Sequence, residues 1–258
     1  MPAQLGANNP RITAARELLS RKGRREQNRF LIEGPTLLGE ARHSGVTIET
    51  LFATRDAYER FEIARILEGH GTDVFILDER SAHKLSDVET PSGLVAVSPV
   101  RTAALEDLFK TPGLVLVLAD LGDPGNAGTL VRSADAFGAR GVVFSEGAVD
   151  PHNPKVVRAA MGSLFRQKIA VAGPSELAPA AQKAAWSIAG LDAGGVPIHE
   201  ASRPSRLILV VGQERHGLGA WGAVCTSLLA IEMHGGAESL NAAVAGSIAL
   251  YELARPGP

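Results

Sequence analysis

Apolar positions recur along this chain with two alternating periods, and the alternation predicts two α/β series joined end to end. Short apolar runs predict strands at residues 30–33, 48–53, 74–77 and 93–97, and helical spacing between them predicts helices at 36–44 and 58–68. Pro35 stands near the start of the first helix and Gly45 just past its end, the positions these two residues favour. A short helix at 11–20 precedes the set, followed by a basic turn at 22–25 around Gly23. Residues 98–112 read as a linker bracketed by Pro99 and Pro112, with a short helix at 105–109. The second series opens on GLVLVLAD at 113–120, apolar enough for a parallel strand buried on both faces. Further strands are predicted at 141–144, 186–191, 207–211 and 230–233, and helices at 126–137, 154–164 and 239–254. In the last helix Leu240, Val244, Ile248 and Tyr251 fall on one face. The expected organisation is an α/β N-terminal domain over 1–98, a linker over 99–112 and a parallel-sheet domain over 113–258.

Composition narrows the classes. Hydrophobic residues form 45% of the 258, enough for a packed core, so disorder is excluded for most of the chain. A net charge of −2 carries no overall basicity, so a nucleic-acid footprint must be local. The first thirty residues supply one: Arg11, Arg16, Arg21, Lys22, Arg24, Arg25 and Arg29 face only Glu17 and Glu26. A solvated helix face is the plain alternative for such a cluster. The single cysteine, Cys225, excludes an internal disulfide framework and a Cys-rich zinc site. No signal core and no run of about 18 apolar residues is present, so a soluble, cytoplasmic protein without membrane association is expected.

Three loops that follow strands carry the candidate chemistry, beyond the carboxyl ends where an open parallel sheet binds ligands. The first, DLGDPGNAGTLVR at 120–132, runs strand, glycine turn, helix, and its free N–H groups suit an anion or a polar ligand. Its glycines at 122, 125 and 128 do not make the dinucleotide fingerprint, and no Gly-Lys pair makes a P-loop. Asn126 stands at the expected N-cap, which is also its plain reading; Arg132 taken alone is a surface arginine. In the second loop an apolar strand runs into Gly212, where the missing side chain would let a ligand approach the backbone. His216 follows as a loop histidine rather than a general base, since no acid partner is apparent. The third, IEMHGGAESLN at 231–241, places Ser239 as the expected cap of the last helix and Asn241 just inside it. His234 and Glu238 lack any metal-ligand spacing, and no metal is expected.

As an ordered set these loops resemble the SpoU (TrmH-like) family of RNA 2′-O-ribose methyltransferases. The matching stretches are NAGTLVRSADAFG at 126–138, VVGQERHGL at 210–218 and IEMHGGAESLNAAVAGSI at 231–248, with NPKVVRAAMGSLF at 153–165 between them. The resemblance runs from residue 113 to the C-terminus; more loosely, the first hundred residues look like the substrate-binding domain many members carry, similar to a ribosomal RNA-binding protein. It implies a deep trefoil knot, a bent S-adenosylmethionine held by Leu191, Gly212, Ile231, Met233 and Leu240, and a homodimer. It implicates Arg132 in removing the hydroxyl proton, with Asn126, Glu214, Ser239 and Asn241 organising the site. An arginine does not ordinarily surrender its proton, so Arg132 acts either as a base in an unusual site or as a stabiliser of the developing alkoxide. The implied substrate is RNA, with large-subunit (23S) ribosomal RNA favoured over tRNA by the N-terminal domain, and Arg21, Lys22, Arg24 and Arg25 as its phosphate contacts. Two rivals are a non-catalytic RNA-binding protein on the same fold and a nucleotide-dependent oxidoreductase. The joint presence of Asn126, Arg132 and Glu214 speaks against the first, and the glycine spacing against the second.

Overall fold

A computed structural model describes residues 2–67, 71–213 and 216–255. The chain divides into two compact units, one of Met1–Arg101 with His152–Phe165 and one of Thr102–Pro151 with Arg166–Pro258.

The first unit follows the order β1 (Ala3–Gln4), α1 (Pro10–Glu17), α2 (Arg21–Gln27), β2 (Arg29–Glu33), α3 (Pro35–His43), β3 (Thr50–Thr54), α4 (Arg55–Arg60), α5 (Ile63–Ile66), β4 (Asp73–Leu77), α6 (Glu79–His83) and β5 (Leu94–Pro99). Its strands form one sheet in the order β1-β4-β3-β5-β2, in which β5 runs antiparallel to both of its neighbours. Ile12, Ala15 and Leu18 of the α1 region pack on Leu31, Phe52, Leu77, Val95 and Val97 of that sheet. The expected basic turn at 22–25 is instead the helix α2. Ser20 caps it by accepting from Gly23 N at 3.0 Å, and Gly23 lets it fold back on α1, since a Cβ there would stand 2.1 Å from the Glu17 carbonyl oxygen. The helix expected at 58–68 is broken by Glu62, whose φ of 48° interrupts the ladder between α4 and α5.

Residues 152–165, placed by chain order in the second domain, pack with the first unit. Here lie α9 (Pro154–Ala159) and α10 (Ser163–Arg166) in place of one helix; Met161 and Gly162, with φ of 48° and 91°, break it. What holds them there is ionic and aromatic. Arg158 pairs with Asp87 at 2.6 Å and Glu33 at 3.5 Å, and the His152 ring lies 4.7 Å from that of Phe30.

The second unit holds α7 (Leu105–Phe109), β6 (Gly113–Leu118), α8 (Pro124–Ala136), β7 (Gly141–Phe144), β8 (Ile169–Val171), α11 (Pro174–Lys183), β9 (Ser187–Pro197), β10 (Arg206–Val211), β11 (Ser227–Ala230) and α12 (Ala242–Ala254). Its sheet is wholly parallel, in the order β11-β9-β10-β6-β7-β8. From β6 the chain builds outward through β7 and β8 on one side, and β9, β10 and β11 lie on the other. The order therefore reverses between β6 and β10, which is where such sheets open a ligand crevice. β10 lies in register with β6 from Arg206 opposite Gly113 to Val211 opposite Leu118, and its apolar residues fill a core with Val115, Val117, Ile188 and Trp221.

The last helix departs from expectation in three ways. The strand expected at 230–233 ends at Ala230, and residues 231–241 are irregular. Asn241, not Ser239, caps α12, because its side chain reaches Ala243 N and Val244 N. The face turned inward carries Ala242, Ala243, Gly246, Ala249 and Leu250, whereas Val244, Ile248 and Tyr251 are 48%, 40% and 54% exposed. Small residues face inward because the approach is close: a Cβ on Gly246 would stand 2.5 Å from Leu130 Cδ2.

Candidate active site

The loops that leave β6, β10 and β11, together with an excursion in β9, surround the carboxyl ends of the central strands. The excursion arises because β9 pairs with β11 through Gly190 opposite Leu228 and then through Val196 opposite Leu229, so residues 191–195 arch out of the sheet. A cleft of about 190 Å³, open to solvent, lies against this arch. All five residues assigned to the cofactor, Leu191, Gly212, Ile231, Met233 and Leu240, line it, as does Ser239. Val211, Ala242 and Ala245 add apolar wall.

Gly212 has a further reason for being glycine. A Cβ there would meet the Gly217 carbonyl oxygen at 2.1 Å, because Gln213 and Gly217 exchange both backbone hydrogen bonds at 3.2 and 2.9 Å and fold the chain back on itself. The glycine makes the turn possible, and the turn in turn presents backbone to the cleft. Glu214, given a site role from the sequence, lies outside the described residues. His216 is exposed on this turn.

The other described catalytic candidates, Asn126, Arg132 and Asn241, stand outside the cleft lining, and two of them are tied to it. Asp123, not Asn126, caps α8, accepting from Asn126 N at 2.7 Å. The Asn126 side chain is thereby spared capping, and its Oδ1 accepts from Asn241 Nδ2 at 3.0 Å. Asn241 Oδ1 accepts from Ala243 N at 2.9 Å and Val244 N at 3.3 Å, so its amide can turn only its NH₂ toward Asn126. The first and third loops are thus joined by one hydrogen bond of fixed polarity, directly beside Ser239, Leu240 and Ala242 of the cleft. Arg132 lies exposed on α8, outside the cleft lining, and no hydrogen bond or ion pair joins it to any described residue.

Two residues that sequence reasoning missed anchor the first loop. Asp120 adopts φ 53° at the end of β6; its N–H donates to Ser145 Oγ at 2.8 Å, and that hydroxyl donates back to Asp120 Oδ1 at 2.7 Å. No local motif announces Ser145, since the pairing spans two strands. Cys225 is set aside as a nucleophile: burial pushes its thiol up to about 11, and its Sγ donates to the Trp221 carbonyl. Among the described residues no group of three His, Cys, Asp or Glu could hold a metal, and no helix is long and apolar enough to cross a membrane.

In the first unit, Arg21, Lys22 and Arg25 are exposed on α2. Arg24 is not available to RNA. It is 4% exposed, and its Nη1 donates to the Leu18 and Leu19 carbonyls at 2.8 and 3.0 Å, closing the end of α1.

Residues 113–251 match the SpoU rRNA Methylase family, and residues 9–96 match the MRM3-like substrate binding domain. A 23S rRNA (guanosine(2553)-2′-O)-methyltransferase of Bacillus subtilis is 32% identical over 96% of this chain and 97% of its own. The fold is similar to an AdoMet-bound rRNA methyltransferase of Sinorhizobium meliloti, with TM-score 0.86, 29% identity and coverage of 98% and 97% of the two chains. It is equally similar to the SpoU methyltransferase AviRb of Streptomyces viridochromogenes in complex with AdoMet, with TM-score 0.87, 28% identity and coverage of 96% and 97%.

Proposed function

The chain belongs to the SpoU rRNA Methylase family, and from that premise we propose that it transfers a methyl group from S-adenosylmethionine to a ribose 2′-hydroxyl of 23S ribosomal RNA. The observation that carries this reading is the Asn126–Asn241 hydrogen bond, which joins the first and third loops at the rim of the cleft. The residues present fit the cofactor. The cleft offers an apolar wall at Leu191, Ile231, Met233 and Leu240 and a backbone turn at Gly212, the mixture an adenosine with a charged tail requires.

Bound S-adenosylmethionine supplies an electrophilic methyl carbon. The chain must hold the hydroxyl in line and manage its proton, and alignment of this kind removes much of the barrier of a bimolecular reaction. Asn241, held by its cap, orients Asn126, and the pair positions the ribose. Ser239, on the cleft wall, faces the same space. Arg132 acts as the cation that stabilises negative charge growing on the 2′-oxygen. Glu214 completes the set by family resemblance alone.

RNA is bound in part through Arg21, Lys22 and Arg25 of α2, whose side chains are exposed. The reading includes the deep trefoil knot, a cytoplasmic location where ribosomal RNA is found, and a homodimer. The exposed stripe Val244, Ile248 and Tyr251 on α12 supports the dimer, since contiguous apolar faces mark interaction surfaces. The test is ribose-methylation mapping of 23S ribosomal RNA from cells with and without the gene, with the purified chain then restoring the missing mark in vitro. Identical maps from both cells would remove the proposed function.

A further inference from the structure

Among the described residues the cleft carries charge of one sign. Among its described lining residues are two carboxylates, Asp192 and Glu238, and no lysine or arginine. Asp192 is the second residue of the arch 191–195, which is anchored at both ends by pairing with β11. The arch cannot shift easily, for a Cβ on Gly195 would already stand 2.5 Å from the Leu228 backbone. Asp192 Oδ1 accepts from Gly194 N at 2.9 Å, which fixes the carboxylate on the wall. No described residue supplies it with a basic partner, and its exposure leaves the core indifferent to it. A carboxylate held by Gly194 N, with no basic partner among the described residues, therefore borders the space assigned to the cofactor.

We propose that Asp192, assisted by Glu238, distinguishes the sulfonium cofactor from its thioether product. The inference rests on the cleft being the S-adenosylmethionine site. Cofactor and S-adenosylhomocysteine share the adenosine, the ammonium and the carboxylate. They differ by one methyl group and one positive charge, so the cofactor is a net cation and the product is neutral. Shape is a weak way to tell them apart in an open cleft, because burying one methyl typically changes affinity by about fourfold. A carboxylate at about 6 Å in a half-solvated cleft changes it by about three- to tenfold per charge. When the methyl leaves for the ribose oxygen, the sulfur keeps the electron pair of the broken bond and becomes neutral, and the hydroxyl proton passes to solvent. The acidic wall then no longer attracts what it holds. The same two side chains thus favour entry of the cofactor and departure of the product.

The test is calorimetric titration of the full chain with S-adenosylmethionine, S-adenosylhomocysteine and sinefungin, which carries an ammonium where the sulfonium stands. Asp192→Asn keeps the acceptor for Gly194 N and so keeps the arch. It should weaken both cationic ligands by about three- to tenfold and the neutral one by less than about twofold, with a smaller effect of the same sign in Glu238→Gln. In the unaltered chain the preference for cofactor over product should narrow as salt is raised, a measurement that depends on no variant. Equal losses for all three ligands would mean that Asp192 binds a shared group, and the selector would be overturned. An unchanged ratio in Asp192→Asn, or a ratio indifferent to salt, would overturn it as well. Failure of the unaltered chain to bind any of the three would take away the reading of the cleft itself, and the selector with it.

Discussion

Asn241 performs two tasks that one substitution separates. Its Oδ1 caps α12 through Ala243 N and Val244 N, and its Nδ2 donates to Asn126. Asn241→Ala removes both, at about 0.5–2 kcal/mol for the cap and about 0.5–1.5 kcal/mol for the second bond. The sum, about 1–3.5 kcal/mol, lowers the melting temperature by several degrees in a chain of this size. Asn241→Asp keeps the cap, and its carboxylate at a helix N-terminus gains about 0.3–1 kcal/mol. It can no longer donate. Asn126 must then turn its own amide, presenting NH₂ to the carboxylate and its carbonyl to the space where NH₂ stood. The expected outcome for Asn241→Asp is a melting temperature near that of the unaltered chain with methyl transfer reduced by about tenfold or more. Circular dichroism melts and single-turnover transfer to ribosomal RNA measure the two quantities. If Asn241→Asp melted normally and also turned over normally, the polarity relay from cap to Asn126 would be refuted. If it melted as low as Asn241→Ala, the capping argument would fail instead.

Arg132→Ala should leave the melting temperature and cofactor affinity unchanged while abolishing transfer, because Arg132 is exposed and outside the cleft lining; a weakened cofactor titration would contradict this placement. Gly212→Val should lower stability outright rather than merely block the cofactor, since its Cβ would collide with the Gly217 carbonyl, and an undiminished melting temperature would show that the turn yields. Burial pushes the Glu33 carboxyl up, against the opposing Ser86 hydroxyl and Arg158 guanidinium. The folded state therefore holds that proton to higher pH than the unfolded state does, and the stability tied to it is lost as pH rises through the folded value. Glu33→Gln should accordingly be at least as stable as the unaltered chain near neutrality and lose that advantage in acid, and a variant less stable at neutral pH would reverse the sign. Arg21, Lys22 and Arg25 changed together to Gln should flatten the salt dependence of RNA binding by about 0.7–0.9 log units for each phosphate no longer neutralised, whereas Arg24→Gln should destabilise the first unit; superimposable salt plots would remove α2 from the RNA surface.

β6, β7 and β10 were legible because each is an apolar run bounded by turn residues, and all three fall within about two residues of their predicted ends. What the sequence hid was set by contacts between distant residues. β8 has three residues, and α11 carries Pro179 inside a run of alanines, so neither leaves a strong period. Arg24 looked like its neighbours Arg21 and Arg25, and only the return of α2 onto α1 turns it to the Leu18 and Leu19 carbonyls. Residues 152–165 lie within the stretch that matches the SpoU family, and their packing with the first unit was not legible because the ion pairs of Arg158 join positions more than seventy residues apart. The cleft was readable from its loops; Asp192 was passed over because a carboxylate in an Asp-Ala-Gly-Gly turn looks like turn chemistry.

The last helix shows why spacing alone could not choose its inner face. α12 is apolar on nearly every side, so helical period identifies two candidate faces and ranks neither. By size, Val244, Ile248 and Tyr251 are the natural choice for a core. The sheet decides otherwise, because α12 lies so close to α8 and β10 that only glycine fits at 246, against Leu130 and Val211. Ser133 and Ser247 meet across the same contact at 2.7 Å, which also needs short side chains. Close approach selects the small face and pushes the large one outward. Three apolar side chains left 40% or more exposed on one helix are costly in water, and a two-fold partner presenting the same stripe would cover them with itself. The helix that Asn241 caps for the catalytic pair would then be the helix on which the proposed dimer closes, so the residues that hold Asn126 in place would be steadied by the second copy.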